Sequence, residues 1–141
     1  MNTGLMDGRK RRVAAAVKRA GADALLVTDA ADVRYLCEFT GSNAALLLKG
    51  TRATMFTDGR YTGQAAAEVD GAAVRIVDRS VGLAACEFAV ESGVVRCGFD
   101  GARTTVAGLE SLRAGLAAKV RRDMSAGLRW SGLGGGAGIS S

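Results

Sequence analysis

The chain has 141 residues, among them 26 alanines, 20 glycines and three cysteines, with neither proline nor histidine. That length makes one domain, and with only 5% aromatic residues its core is built from small side chains, while the lack of imidazole excludes the commonest general base, every Ser-His or Cys-His pair and the His ligands of catalytic zinc. The formal charge of +5 sits at the ends: Arg9, Lys10, Arg11 and Arg12 against Asp7, and Lys119, Arg121, Arg122 and Arg129 against Asp123, each a local +3 around a body of −1. A basic stripe or face would point to nucleic acid; charge confined to two ends reads as solvated termini.

In chain order, Asp7 is placed to cap a first helix whose Val13, Ala16, Val17 and Ala20 recur at i, i+3, i+4 and i+7, with Gly21 as the stop. The cations in its first turns oppose the helix dipole, so that end is expected to fray. Ala24-Leu25-Leu26-Val27 is a short apolar run of the buried-strand type. Asp29 caps a short helix through Val33 and Leu36. After the turn-forming Phe39-Thr40-Gly41-Ser42-Asn43, the runs Ala44–Leu48 and Ala53–Thr57 flank Lys49-Gly50-Thr51-Arg52 and form an antiparallel hairpin. Asp58-Gly59-Arg60 is a turn, and Tyr61–Val69 a short helix.

Val74–Val77 reads as a strand, and Ser80 opens a helix with Val81, Ala84, Ala85 and Phe88 on one face. Val94–Phe99 is the next strand, giving βαββαβαβ after the leading helix. A further helix starts at Thr104 or Thr105 with Leu109, Leu112 and Leu116 inward, weakened by Gly108 and Gly115; a last strand is expected over Ala118–Met124. Alternating strands and helices with one hairpin make an α/β domain whose mixed sheet, mostly parallel, is covered by helices on both faces. Residues 125–141 form a glycine-rich tail, disordered or adventitious, that cannot bury enough apolar area to offset its chain entropy.

Candidate chemistry is sparse. Cys37, Cys86 and Cys97 are odd in number and lack a CxxC pair, the pattern of buried reduced thiols in a cytosolic protein. No window has the ~18 apolar residues of a membrane span, and the basic start lacks the apolar core of a signal peptide. Gly132-Leu133-Gly134-Gly135-Gly136-Ala137-Gly138 resembles a dinucleotide fingerprint but has no helix after it to bind phosphate. Asp29 and Asp32 are the closest carboxylate pair with a shared face and fit capping; Glu87 and Glu91 read as a solvated helix face. The Asp58-Gly59-Arg60-Tyr61 corner and the Thr40–Asn43 turn sit at strand ends, where α/β proteins place binding residues. No catalytic constellation emerges.

Three ordered blocks add to this reading: Ala20-Gly21-Ala22-Asp23-Ala24-Leu25-Leu26-Val27-Thr28, Val33-Arg34-Tyr35-Leu36-Cys37-Glu38-Phe39-Thr40-Gly41-Ser42, and Thr57-Asp58-Gly59-Arg60-Tyr61-Thr62-Gly63-Gln64-Ala65. With Arg12 and Cys97-Gly98-Phe99-Asp100, they resemble the N-terminal domain of the aminopeptidase P, prolidase and creatinase family. The resemblance covers residues 9 to 100 well and 101 to 120 loosely. It implies an α/β domain followed by a larger pita-bread domain. That second domain carries two divalent metals (manganese, cobalt or zinc) on two Asp, one His and two Glu, and hydrolyses the bond before proline; creatinases cleave creatine without metal. The resemblance implies that the N-terminal domain contributes to dimer or tetramer contacts, as a homo-oligomer, and narrows the active-site entrance, often that of a neighbouring subunit.

Carried over, Phe39, Thr40, Ser42 and Asn43 of the turn and Arg60 and Tyr61 of the corner lie nearest that entrance, Phe39 as an apolar wall and Arg60 facing a substrate carboxylate. The sequence departs from the pattern in having no pita-bread domain, as a truncated or frameshifted reading frame would. The expectation is therefore a cytoplasmic, non-catalytic domain at residues 1–124. It has no catalytic residues, metal or cofactor of its own. Its partners are a second copy or a catalytic domain, and it meets proline-containing peptides only through that domain, with no membrane and no nucleic acid. The alternative is a stand-alone basic α/β module binding nucleic acid through its charged termini, where binding would be salt-dependent.

Overall fold

The computed structural model of the chain describes residues 3–100, 105–123 and 129–133. Its elements are α1 (Thr3–Arg19), β1 (Ala24–Val27), α2 (Ala30–Cys37), β2 (Ala44–Lys49), β3 (Arg52–Thr57), a 3-10 turn (Gly59–Tyr61), α3 (Thr62–Glu68), β4 (Ala73–Ile76), α4 (Val81–Glu91), β5 (Arg96–Asp100), α5 (Val106–Asp123) and β6 (Arg129–Leu133). Local chemistry sets several boundaries. Asp29 caps α2, its carboxylate accepting from the N–H groups of Ala31 at 3.1 Å and Asp32 at 3.3 Å. Ser80 caps α4 by accepting from the Leu83 N–H at 3.2 Å, which satisfies a donor the helix itself cannot. Gly21 (φ 77°) and Gly93 (φ 84°) turn the chain after α1 and α4 in a conformation that side chains disfavour.

The six strands form one sheet in the order β4-β3-β2-β1-β5-β6. β2 is antiparallel to both neighbours, and every other pairing is parallel. The sheet is thus the mixed, mostly parallel α/β sheet with one hairpin that the sequence predicts. Because side chains alternate along a strand, Leu25 and Val27 of β1 face one way and Ala24 and Leu26 the other. The first set, with Leu46, Leu48 and Met55, packs under Val13 and Val17 of α1, Val33 and Leu36 of α2 and Ala65 of α3. The second, with Ala45, Leu47, Phe56 and Cys97, packs under Ala84, Ala85 and Ala89 of α4 and Leu112 of α5. Burial on both faces explains why β1 is an unbroken apolar run.

Small residues set the closeness of α4 and α5. A Cβ at Gly82 would lie 3.0 Å from Leu112 Cδ2, and one at Gly115 3.1 Å from Leu83 Cδ1. Each helix thus seats the other's leucine against a glycine, so Gly115, which weakens helix propensity, improves packing.

Several sequence expectations are corrected. Residues 118–123, expected to begin a strand, continue α5 to Asp123, since Ala, Lys and Arg propagate a helix readily. Residues 129–133, expected within a structureless tail, form β6 alongside β5. Trp130 meets Phe99 edge-on, with ring centroids 6.3 Å apart. Residues 125–128 and 134–141 of that expected tail lie outside the described residues.

The basic start is also not simply solvated. α1 already begins at Thr3, and Asp7, inside it, pairs with Lys10 at 3.5 Å. Lys10 is only 7% exposed and donates to the Gly71 carbonyl at 2.7 Å. The Arg9 guanidinium lies 4.5 Å from the Tyr35 ring centroid and donates to the Tyr35 carbonyl at 2.9 Å, while Arg12 donates to the Tyr35 hydroxyl at 3.0 Å. The arginines clasp α1 to α2 through charge, π-face and stem contacts. Glu87, expected to be solvated, pairs with Arg79. All three cysteines are free and buried. Among the described residues no helix is long and apolar enough to cross a membrane.

Candidate functional site

Because β2 runs against its neighbours, it begins at the end of the sheet where β1, β3 and β4 finish. The Phe39–Asn43 turn before β2 therefore meets the Asp58–Tyr61 corner after β3, although the two are far apart in sequence. The β2–β3 register, with Ala44 opposite Thr57, makes the meeting unavoidable. Thr57 Oγ1 donates to the Asn43 carbonyl at 2.6 Å and closes the junction from the sheet side.

Asp58 organises the corner. It accepts from the Arg60 main-chain N–H at 2.9 Å, from Arg60 Nε and a terminal guanidinium nitrogen at 3.0 Å each, and from Asn43 Nδ2 at 2.6 Å. The Arg60 guanidinium and then the Asn43 amide hold the Asp58 carboxyl well below the usual carboxylate range. The same pairing raises the pKa of Arg60. Arg60 keeps a side chain 74% exposed and rests 5.4 Å from the Tyr61 ring centroid. Tyr61 shares a 2.5 Å hydrogen bond with the Ser42 hydroxyl. Ser42, first through this hydroxyl and then through its main chain, lowers the Tyr61 pKa by stabilising the phenolate, and the Arg60 charge adds to the effect.

A second clamp ties the turn to α3. Glu68 accepts from the Thr40 N–H at 2.8 Å and the Thr40 hydroxyl at 2.9 Å, while Gln64 Nε2 donates to Thr40 Oγ1 at 3.0 Å. These bonds, the Thr40 main-chain N–H foremost, lower the Glu68 pKa. Beneath them Phe39 is fully buried and packs edge-on against Tyr61, with centroids 5.7 Å apart. Gly41 passes so close that a Cβ there would lie 2.3 Å from Phe39 Cζ and 3.0 Å from Tyr61 Cδ1.

The structure brings Ser42, Asn43, Arg60 and Tyr61 into one surface and anchors Thr40 beside them. Phe39 supports that surface from below and does not line it, so it offers no exposed apolar wall in this chain. Arg60 already holds an internal carboxylate and presents only the rest of its guanidinium outward. Asp58 and Gly41, within the corner and turn the sequence marks, and Gln64 and Glu68, which it does not, complete the cluster. The Asp-Gly pair at a strand end marks Asp58 in the sequence, and the i, i+4 spacing of Gln64 and Glu68 is the signal that could have found those two. On one side of the turn an open groove of ≈ 810 Å³ runs past Asn43, Arg60, Asp78 and Arg79. On the other a cleft of ≈ 540 Å³ lies between Ser42, Asn43 and the first turns of α4 and α5.

Chemically the surface offers a guanidinium, a phenol with lowered pKa, a hydroxyl and an amide, all firmly positioned. Such a set is suited to binding acceptor groups and anions. Among the described residues no three His, Cys, Asp or Glu side chains gather to hold a metal ion.

Comparison with known proteins follows the same line. The family model of the creatinase/prolidase N-terminal domain matches residues 9–129. Over 80 residues the chain is 34% identical to the uncharacterized peptidase YqhT of Bacillus subtilis (strain 168), a stretch amounting to 57% of this chain and 23% of that protein. The N-terminal domain of the cytoplasmic peptidase PepQ from Mycobacterium tuberculosis H37Rv superposes with a TM-score of 0.81 at 33% identity, covering 95% of this chain and 98% of that one. The Xaa-Pro dipeptidase from Bacillus anthracis superposes with a TM-score of 0.77 at 21% identity, covering 95% of this chain but 34% of that one, a likeness of fold.

Proposed function

Because the chain belongs to the creatinase/prolidase N-terminal domain family, we propose that it serves a Xaa-Pro peptidase as a non-catalytic domain that shapes access to the active site and contributes contacts between subunits. The metal pair and the hydrolytic residues belong, in this reading, to a catalytic domain outside these 141 residues, in a cytoplasmic enzyme acting on proline-containing peptides. The observation that carries it is the Ser42–Tyr61–Arg60 surface. It is rigidly built at the carboxyl end of the parallel strands, where open α/β sheets place recognition, and it holds binding groups without catalytic ones. At the N-terminal end Arg9, Lys10 and Arg12 each donate to groups of the domain itself, which lends the nucleic-acid alternative no support.

The test is a chimera in which this chain replaces the corresponding domain of the Bacillus anthracis Xaa-Pro dipeptidase, assayed with and without Arg60→Ala and Tyr61→Phe. The expected result is a raised KM for a Xaa-Pro dipeptide at little-changed kcat, because access and binding change while the chemistry does not. Unchanged KM in both variants would refute the access role. Metal-dependent turnover by the purified 141-residue chain alone would refute the non-catalytic one.

A further inference from the structure

At the end of the sheet opposite the turn and corner, a groove of ≈ 520 Å³ opens beside the β2–β3 hairpin, a volume typical of small-molecule sites. Side chains alternate along a strand, so Lys49 shares the α4 side of β2 with Leu47. Arg52 and Thr54 of β3, registered opposite Lys49 and Leu47, face the same way. Leu47 and Thr54 form the floor, and Phe88 of α4 and Ser92, which ends that helix, form one wall. Lys10 reaches in from α1 at the far side, nearly fully buried and fixed by the Gly71 carbonyl and Asp7.

Charge sets this groove apart. The hairpin loop has only two residues, Gly50 and Thr51, so Lys49 and Arg52 are direct cross-strand partners. Like charges so placed repel. Lys49 turns to the Ser92 carbonyl at the negative end of α4, while Arg52 stays exposed. Among the described residues no carboxylate lines the groove or pairs with either cation. Asp23, close enough to feel the Lys49 charge, is held by the N–H groups of Val95 and Arg96.

We propose that this groove binds a small organic phosphate, with the phosphate on Lys49 and Arg52 and a ring or apolar body against Leu47 and Phe88. The guanidinium fork, the ammonium and the Thr51 hydroxyl are donors that the three terminal oxygens of a phosphate can accept together. Residues two apart on a strand lie about 7 Å from each other, so the charged row and the apolar row match a ligand built like a nucleoside monophosphate. The groove lies at the other end of β3 from the access surface, and the proposal does not rest on that reading.

The test is isothermal titration calorimetry of the full chain with adenosine monophosphate, inorganic phosphate, adenosine and citrate. The expected result is saturable binding of the nucleotide that weakens as salt is added, weaker binding of inorganic phosphate and none of adenosine. Arg52→Gln raises the dissociation constant about tenfold or more, as the loss of one charge-assisted hydrogen bond does. Arg113→Gln, on the exposed side of α5, and Arg60→Ala leave it unchanged. Because Arg52→Gln also removes a like-charge pair, it melts no lower than the wild type, so lost binding is not lost folding. No binding of the nucleotide, or an affinity that Arg52→Gln leaves alone, overturns the proposal. Citrate binding as tightly as the nucleotide overturns the choice of phosphate, and inorganic phosphate matching it overturns the apolar part of the site.

Discussion

Gly41→Ala tests whether the candidate surface is built the way the geometry says. The added Cβ would sit 2.3 Å from Phe39 Cζ and 2.5 Å from Phe39 Cε2, where carbon atoms at rest stay about 3.5–4.0 Å apart. Something must shift by more than an ångström. The ring cannot give way cheaply, because Phe39 is fully buried and Tyr61 leans on it edge-on. Overpacking of a rigid site costs about 1–3 kcal/mol, and the depth of this overlap puts the cost at about 2–3. For a domain of this size that lowers the melting temperature by about 7–10 °C.

Thermal and urea denaturation followed by circular dichroism measure the effect. Phe39→Leu is the companion, since the smaller side chain opens room for the new methyl. Residues in direct contact couple by about 0.5–3 kcal/mol, so the double variant should lose less than the two single losses together. A Gly41→Ala protein that melts like the wild type, or strictly additive losses in the double variant, would refute the packing argument.

Three further predictions concern protons and thiols. Ser42→Ala removes the bond that most lowers the Tyr61 pKa, so the phenol should titrate at higher pH in an ultraviolet titration; an unchanged curve counts against the Ser42–Tyr61 bond. Asp23 is held below its ordinary value by the N–H groups of Arg96 and Val95, Glu68 by Thr40, and Asp58 by Arg60. The unfolded chain thus binds more protons than the folded one at acid pH, and the stability these carboxylates supply is lost as pH falls below about 4. With no histidine in the chain, calorimetry should find a flat melting temperature between about pH 5.5 and 7.5, and a step near pH 6.5 would contradict this. Burial pushes the thiol pKa of Cys37 up to about 11 and those of Cys86 and Cys97 to about 12, so a disulfide reagent at pH 8 should find all three silent until denaturant is added.

What the sequence reveals and what it hides divide along physical lines. Features fixed within a few residues are legible: Asp29 and Ser80 as caps, Leu25–Val27 as a buried strand, Lys49–Arg52 as the hairpin turn. The turn and the corner are legible as candidate surfaces because strand ends mark them. Their contact is not, since the Ser42–Tyr61 bond arises from the register of β2 on β3 and from β2 alone running backwards. Phe39 looks like a surface aromatic in its turn-rich setting, yet tertiary packing draws it inside. β6 is invisible because residues 129–133 have no alternating apolar pattern; the strand is set by its ladder with β5. The basic start misleads because nothing local tells that Tyr35 and Gly71 will receive Arg9, Arg12 and Lys10.

The strand order also governs how the chain assembles as it is synthesised. β1 to β4 are consecutive in both sequence and space, so four of the six strands, with α1 to α3 over one face, can form from the first 76 residues alone. β5 then pairs with the far side of β1, joining Ala24 to Cys97 across a long loop of chain. Non-local parallel pairings of this kind form late. Until they do, β1 is an apolar strand with one side bare, and the growing chain has two open edges where the finished domain keeps β1 inside. The interval between the emergence of Ile76 and of Asp100 is when this fold is most exposed to mispairing.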